Sequence, residues 1–129
     1  MLVLLDSTVL IDFLRGRPAV GRVAALRAGS DTACTTAINV DEIVRGLRPS
    51  ERRAAADLFD GLIVLPLGRP EGERAGAWRR DHAAQGISLA QADCLIAAAA
   101  WSNRAELATG NPADFPMKEI RVQHWPVGE

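Results

Sequence analysis

Four acidic residues are the side chains of this sequence whose types and placement could do chemistry. Asp6 directly follows a short apolar run, Glu42 and Asp93 fall in the first turns of predicted helices, and Asp114 lies shortly after a second apolar run. Carboxylates gathered without a cation repel one another, and some of them take up protons. Mg²⁺ or Mn²⁺ removes that cost, since both ions prefer hard oxygen ligands and retained waters. The four carboxylates therefore indicate a divalent-metal site that could activate a water for attack on a phosphodiester.

Each of these acids also has a structural interpretation. An acidic residue in the first turn of a helix often only complements the helix dipole, which applies to Glu42 and Asp93. Asp114 could be a loop cap, and Asp6 taken alone is as consistent with a structural role as with a functional one. Asp41 is the alternative to Glu42 at the second position. The order and spacing of the four acids together favour the metal site.

A shared site requires elements that bring separated acids together, and the apolar patterning predicts such elements. Short apolar runs predict strands at 2–5, 31–35, 62–67, 106–109 and 120–122. Helical periodicity with Gly and Pro as stops predicts a first helix between the capping residue Ser7 and Gly16. Further helices are predicted at 18–28, 38–47, 50–59, 70–85 and 91–103.

Strands that alternate with helices indicate an α/β fold with three layers and a central, mainly parallel sheet. Right-handed crossovers then bring the carboxyl ends of several strands to one edge of the sheet. A length of 129 residues, with 48% apolar and 24% charged residues, fits a single domain over 1–129. The longest apolar run, 94–101, is far shorter than the roughly 20 residues of a membrane span. We therefore expect a cytoplasmic protein, with Cys34 and Cys94 as reduced thiols of the core.

Charge and missing motifs argue against several classes of protein. A formal net charge of −1 disfavours a passive nucleic-acid binder with a strongly basic surface. The glycine motifs of nucleoside triphosphate and dinucleotide sites are missing. A phosphatase that uses paired aspartates would need Asp where Thr8 stands, and a receiver domain would need Asp within 64–68, which has none.

Four segments of the chain, in order and with suitable spacing, resemble the PIN-domain family, and in particular its VapC-type toxins. These segments are LLDSTVLID at 4–12, TTAINVDEIVRG at 35–46, ADCLIAA at 92–98 and LATGNPADF at 107–115. The resemblance implies an endoribonuclease that uses Mg²⁺ or Mn²⁺ and acts on an RNA substrate. It also implies a homodimer, or a hetero-oligomer with the cognate VapB-type antitoxin that silences it. A PIN fold that has lost activity and only binds is the alternative, which the retention of all four acids disfavours.

The resemblance also carries residues over position by position. The acidic positions of the family correspond to Asp6, Glu42, Asp93 and Asp114, and its polar positions to Thr8, Thr109 and Asn111. Gly110 is a departure, because the family often carries a larger, frequently basic residue there.

We expect Asp6 and Asp93 to be the primary metal ligands. Glu42 could ligate directly or orient the attacking water, and Asp114 could act through water or hold a second ion. Thr8 and Asn111 suit hydrogen bonds to the carboxylates or to bound waters.

The remaining notable residues have simpler interpretations. Arginines are candidate RNA contacts, but each could equally be solvated or paired locally, as Arg45 could be with Glu42. These candidates are Arg15, Arg45, Arg79 and Arg80. We expect Asp12 to be a solvated helix residue and both histidines, His82 and His124, to be ordinary surface or core residues. The tryptophans are expected to pack in the core or at a dimer interface, namely Trp78, Trp101 and Trp125.

Overall fold

A computed structural model describes residues 1–128 as five strands and six helices, with two helices in each of the first three connections between strands. The strands are β1 (Leu2–Leu5), β2 (Thr32–Thr36), β3 (Ile63–Leu65), β4 (Glu106–Thr109) and β5 (Val122–His124). The helices are α1 (Ser7–Leu14), α2 (Ala19–Ala28), α3 (Ala37–Arg45), α4 (Arg52–Asp60), α5 (Arg69–Ala83) and α6 (Gln91–Ser102). Short 3₁₀ helices cover Pro49–Glu51 and Pro112–Asp114.

All five strands belong to one sheet, in the order β3-β2-β1-β4-β5, and every neighbouring pair is parallel. Alternate residues of β1 face opposite sides, so Leu4 packs with one core cluster while Val3 and Leu5 pack with another. The first cluster lies under α5 and α6, and the second lies under α1 to α4. This confirms the predicted three-layer α/β arrangement, and the sheet is parallel throughout.

The core clusters confirm two predictions about single residues. Cys34 and Cys94 are buried and unbridged, and burial raises the pKa of the Cys34 thiol to about 12. Trp78 is buried and its indole Nε1 donates to Glu119 Oε2 at 2.6 Å, so it is a packing residue. Within 1–128, no helix is long and apolar enough to cross a membrane.

Several element bounds differ from the sequence prediction. The last strand was predicted at 120–122, but Ile120 packs on the core from a loop and β5 begins at Val122. Its register is set by β4, because Val122 pairs with Leu107 and His124 with Thr109. The helix predicted from 50 begins as the Pro49–Glu51 3₁₀ turn. Apolar pattern alone does not set the ends of such short elements.

The predicted capping role of Ser7 was wrong. Asp6 occupies the N-cap position of α1, and Ser7 is the first helical residue. The reason is the sheet: the Asp6 backbone N–H still donates to Ala108 O at 3.0 Å, and Val9 and Leu10 then donate to Asp6 O. The chain therefore turns into the helix one residue earlier than its composition indicates.

The interpretation of Asp12 as a solvated residue was also wrong. Its side chain is only 2% exposed and accepts two backbone hydrogen bonds. The Ala19 N–H donates to Oδ2 at 2.9 Å, and the Gly128 N–H donates to Oδ1 at 2.9 Å. Asp12 therefore satisfies the first N–H of α2 and fastens the end of the described chain onto α1.

We predict that Asp12→Ala lowers the free energy of unfolding by about 1–3 kcal/mol, because two buried donors lose their acceptor. Chemical denaturation followed by circular dichroism measures the change. Asp57→Ala is the control, since Asp57 is an exposed residue of α4, and surface substitutions usually stay within about 0.5 kcal/mol. Equal effects of the two substitutions would contradict the role given to Asp12.

Candidate metal centre

The centre is built where three neighbouring parallel strands end. β1 lies between β2 and β4, so the chain leaves the sheet at Thr36, Asp6 and Thr109 along the same edge. Thr36 and Thr109 are fully buried and Asp6 is 7% exposed. The expected convergence of strand ends at one edge is confirmed.

Asp6 is a buried carboxylate that receives hydrogen bonds from three other elements. Thr109 Oγ1 donates to Oδ2 at 2.8 Å, Thr8 Oγ1 donates to the same oxygen at 3.3 Å, and Asn39 Nδ2 donates to Oδ1 at 3.3 Å. Burial raises the pKa of Asp6 above its ordinary value, while bonds from Thr109, the Ser7 backbone and Thr8 act in the opposite direction. The donors therefore offset part of the cost of holding a charge in this position.

The two threonine hydroxyls are oriented by the loop that follows β4. The Gly110 N–H donates to Thr8 Oγ1 at 2.9 Å, and the Asn111 N–H donates to Thr109 Oγ1 at 3.0 Å. A hydroxyl that accepts a backbone N–H keeps its single proton for another partner. For both threonines that partner is Asp6, so the loop backbone fixes the direction in which they donate.

Asn39 and Ser7 connect Asp6 to Glu42. Asn39 Nδ2 donates to Ser7 Oγ at 2.9 Å, and Ser7 Oγ donates to Glu42 Oε1 at 2.6 Å. Asn39 Oδ1 accepts from Thr36 Oγ1 at 2.7 Å, which sets the orientation of the amide. One short network thus positions two of the four predicted acids.

Sequence reasoning missed Asn39, Ser7 and Thr36 as residues of the site. Two signals were available. Thr36 and Asn39 have the spacing of a capping box, which the structure contains. Asn39 is also three residues before Glu42, so the two lie on one face of α3.

Asp93 and Asp114 are the other two predicted acids, and they lie on elements separate from those of Asp6 and Glu42. Asp93 is half-buried in the first turn of α6, and Asp114 is exposed in the Pro112–Asp114 turn, where Asn111 Nδ2 donates to it at 2.9 Å. Burial, followed by the charges of Asp114, Asp6 and Glu42 in that order, raises the pKa of Asp93 to about 6. The other three carboxylates therefore lie within electrostatic range of Asp93.

The donor set fits a hard divalent cation. It consists of carboxylate oxygens whose mutual repulsion, visible at Asp93, a cation would relieve. Within 1–128, no three His, Cys, Asp or Glu side chains are close enough together to ligate one ion directly. Mg²⁺ commonly retains several waters and uses only one or two carboxylates. Asp6 and Asp93 are the residues that would hold such an ion, with Glu42 and Asp114 beside them.

Gly110 departs from the family pattern for a visible reason. A Cβ built at this position would lie 2.7 Å from Val127 Cγ1 and 2.9 Å from Val127 Cγ2. The segment after β5 is held there by Arg22 Nη1, which donates to Pro126 O at 2.6 Å. The end of the chain thus occupies the space that a larger residue at position 110 would need.

The structure gives the candidate arginines different surroundings. Arg15 pairs with Glu51 at 3.3 Å and Arg80 with Asp81 at 3.2 Å. Arg45 and Arg79 are exposed, and neither forms an ion pair within 1–128. The local pair of Arg45 with Glu42, one of the alternatives for Arg45, is not formed within 1–128, and Ser7 contacts Glu42 instead. RNA contacts by these four residues stay predictions.

Comparisons of the sequence and of the structure with known proteins point to the same family. A family model described as "PIN domain" matches residues 3–118. The chain is 33% identical over 120 residues to "Ribonuclease VapC19" of Mycobacterium tuberculosis (strain ATCC 25618 / H37Rv), covering 88% of this chain and 92% of that protein. It is 32% identical over 122 residues to "Ribonuclease VapC10" of the same strain, covering 92% of this chain and 89% of that protein. The solved structure of VapBC-1 from nontypeable Haemophilus influenzae matches with a TM-score of 0.82 and 26% identity, over 97% of this chain and 98% of that one.

We predict that the metal-free protein loses stability as the pH rises from about 4 to about 6. The pKa of Asp93 is about 6 in the folded protein and 3.8 ordinarily, so the folded state holds this proton more tightly. The contribution of Asp93 is fully favourable below pH 3.8 and is lost as the pH rises through 6. Thermal unfolding in EDTA should show Asp93→Asn more stable than the parent protein above pH 6, with a smaller difference near pH 4. A difference independent of pH would contradict this, and Asp57→Asn is the control.

We also predict that Asn39→Ala weakens Mn²⁺ binding by about 10- to 100-fold, because Asp6 loses a donor and Glu42 loses the connection through Ser7. Titration calorimetry well below the unfolding temperature measures the affinity. Asn103→Ala is the matched control, since Asn103 Nδ2 donates only to Ala99 O at the end of α6. Unchanged Mn²⁺ affinity in a folded Asn39→Ala protein would remove Asn39 from the centre.

Proposed function

The chain belongs to the PIN-domain family, and on that basis we propose that it is an endoribonuclease that requires Mg²⁺ or Mn²⁺. We further propose that it is the toxin of a toxin–antitoxin pair, held inactive by a VapB-type antitoxin. One observation carries the enzymatic proposal. The buried Asp6 carboxylate is held by three donors at the edge to which Glu42, Asp93 and Asp114 also come.

The relatives support the substrate class. Two proteins that are 33% and 32% identical over most of this chain are named ribonucleases. Solved relatives are VapBC complexes, which supports an antitoxin as the partner. The homodimer stays a prediction.

Within this proposal, the chain supplies position and charge rather than a nucleophilic side chain. Asp6 and Asp93 would hold a divalent ion, which would supply Lewis acidity toward a phosphodiester and lower the pKa of a water. Thr8, Thr109 and Asn39 hold the Asp6 oxygens in fixed directions. Ser7 holds one oxygen of Glu42, which leaves the other free to accept a proton from a water.

The remaining acid is Asp114, in the turn after β4. Asn111 Nδ2 donates to Asp114 Oδ2, which holds one oxygen of this carboxylate in place, and Asp114 would act through a water or hold a second ion. Four carboxylates repel the phosphates of RNA, so substrate binding depends on the cation. Arg45 and Arg79, which are exposed and form no ion pair within 1–128, are the proposed basic contacts to the RNA backbone.

We expect purified full-length protein, freed of antitoxin, to cleave RNA with Mg²⁺ or Mn²⁺ and to stop in excess EDTA. Asp6→Asn and Asp93→Asn should each lower cleavage at least about 100-fold, because each removes a charged ligand while keeping the side-chain shape. Asp57→Asn, on the exposed face of α4, should cleave like the parent protein. Cleavage that persists unchanged in EDTA would overturn the metal mechanism.

The proposed toxin role is tested separately, by measuring cell growth during expression of the parent protein and of Asp6→Asn. Expression of the parent protein should arrest growth, and Asp6→Asn should relieve the arrest. Equal arrest by both proteins would show that the chain acts by binding, as a PIN fold without catalysis.

A further inference from the structure

Residues 125–128 follow β5 and run beside the metal centre, and we call this segment the strap. The strap forms three hydrogen bonds to other elements: from Trp125 N to Thr109 O of β4 at 2.8 Å, from Arg22 Nη1 of α2 to Pro126 O at 2.6 Å, and from Gly128 N to Asp12 Oδ1 of α1 at 2.9 Å. Val127 lies between the second and the third of these attachments. Its position relative to the sheet edge is therefore fixed on both sides.

The first attachment holds the peptide group that orients Thr8. The carbonyl of Thr109 and the N–H of Gly110 belong to one peptide group, which is planar. The Trp125 N–H donates to that carbonyl at 2.8 Å, and the N–H at the other end of the group donates to Thr8 Oγ1 at 2.9 Å. Thr8 Oγ1 in turn donates to Asp6 Oδ2 at 3.3 Å. A single planar group thus connects the strap to the Asp6 carboxylate.

Val127 fills the space in which residue 110 would carry a side chain. A Cβ on Gly110 would lie 2.7 and 2.9 Å from the two methyl carbons of Val127 and 3.4 Å from Thr8 Cβ, so the three residues meet at one point. Val127 is 45% exposed and belongs to neither core cluster of residues 1–128, so core packing does not explain its place. Glycine has more backbone freedom than any other residue. The methyl groups of Val127 restrict that freedom at Gly110.

We propose that the strap positions the metal centre, with Val127 as a positioning residue. The strap holds the peptide group between residues 109 and 110, which keeps the Thr8 hydroxyl directed at Asp6 Oδ2. The Asp6 oxygens then keep the directions in which they would ligate a divalent cation. Because the strap orders this group before an ion arrives, ion binding does not have to order it. The inference rests on the proposed function, since it concerns the ion of that same site.

Loss of the two Val127 methyl groups should weaken ion binding in a folded protein. Val127→Ala should lower Mn²⁺ affinity about three- to tenfold, less than the roughly 10- to 100-fold loss typical when a direct partner of a ligand is removed. Val127→Ile keeps both carbons beside Gly110 and should bind Mn²⁺ like the parent protein. Val64→Ala is the matched control, because Val64 is 47% exposed on β3. Titration calorimetry of the full chain with Mn²⁺ alone, well below the unfolding temperature, measures each affinity.

A double-mutant cycle with Thr8 distinguishes positioning from a general loss of stability. Thr8→Val removes the hydroxyl and keeps the outline of the side chain, so the strap has no donor left to orient. Val127→Ala should then cause no further loss of Mn²⁺ affinity in the Thr8→Val protein. The coupling between the two positions should equal the whole effect of Val127→Ala. Equal losses in both backgrounds would show that Val127 supports the fold and not the centre.

An exchange of volume between positions 110 and 127 is a second test. Gly110→Ala alone places a Cβ 2.7 and 2.9 Å from the Val127 methyl carbons, so the strap must shift and Mn²⁺ affinity should fall. Adding Val127→Ala removes the overlap, and the double variant should bind Mn²⁺ several-fold more tightly than Gly110→Ala. If Gly110→Ala does not fold, the double variant should recover folding. A double variant that recovers neither affinity nor folding would contradict the proposed contact.

The outcomes separate this inference from the proposed function. If the parent protein binds Mn²⁺ but cleaves no RNA, the ribonuclease proposal fails, and the Mn²⁺ titrations still decide whether the strap acts on the centre. If the parent binds and cleaves, but Val127→Ala binds Mn²⁺ equally well, the strap has no positioning role and the ribonuclease proposal stands. A parent protein that binds no Mn²⁺ overturns both.

Discussion

The buried carboxylate of Asp6 is the constraint on which the rest of the site depends. A charge removed from water is costly unless hydrogen bonds replace its hydration. Three donors from three segments replace it, namely Thr8 from α1, Asn39 from α3 and Thr109 from β4. Each donor is itself oriented by a further bond, so the ends of three strands and two helices must keep a fixed relation. The parallel order β2-β1-β4 makes that relation possible, because it brings these segments to one edge.

The sequence predicted the parts of this architecture in which a run of apolar residues forms a buried strand. Apolar runs at 2–5 and 106–109 predict buried strands, and both occur with those bounds. Asp6 could be selected because it directly follows such a run. Asn39 gave only local signals, its capping-box spacing to Thr36 and its place one turn before Glu42. Its contacts to Asp6 and Ser7 join positions more than thirty residues apart, and no local pattern predicts them.

The wrong interpretation of Asp12 and the departure from the family pattern at Gly110 have the same cause. Asp12 was placed in solvent because its partners are backbone N–H groups, which have no sequence signature, and one of them lies 116 residues away. Gly110 departs from the family pattern because Val127 occupies the space beside it. In both cases the end of the chain decides the environment. Strand and helix periodicity contains no information about where such a segment packs.

The hydrogen bonds of the site are unevenly distributed among its carboxylates. This distribution is consistent with the proposed binding of a cation. Asp6 and Glu42 receive donors from the protein, so their oxygens have fixed directions before any ligand arrives. Asp93 is half-buried, and within 1–128 no side chain donates to it, while three neighbouring charges oppose its ionisation. Under the proposed function, a bound cation would compensate the charge of Asp93. The centre then has one side whose oxygens are fixed by protein donors at the strand ends, and one side whose repulsion a cation would relieve.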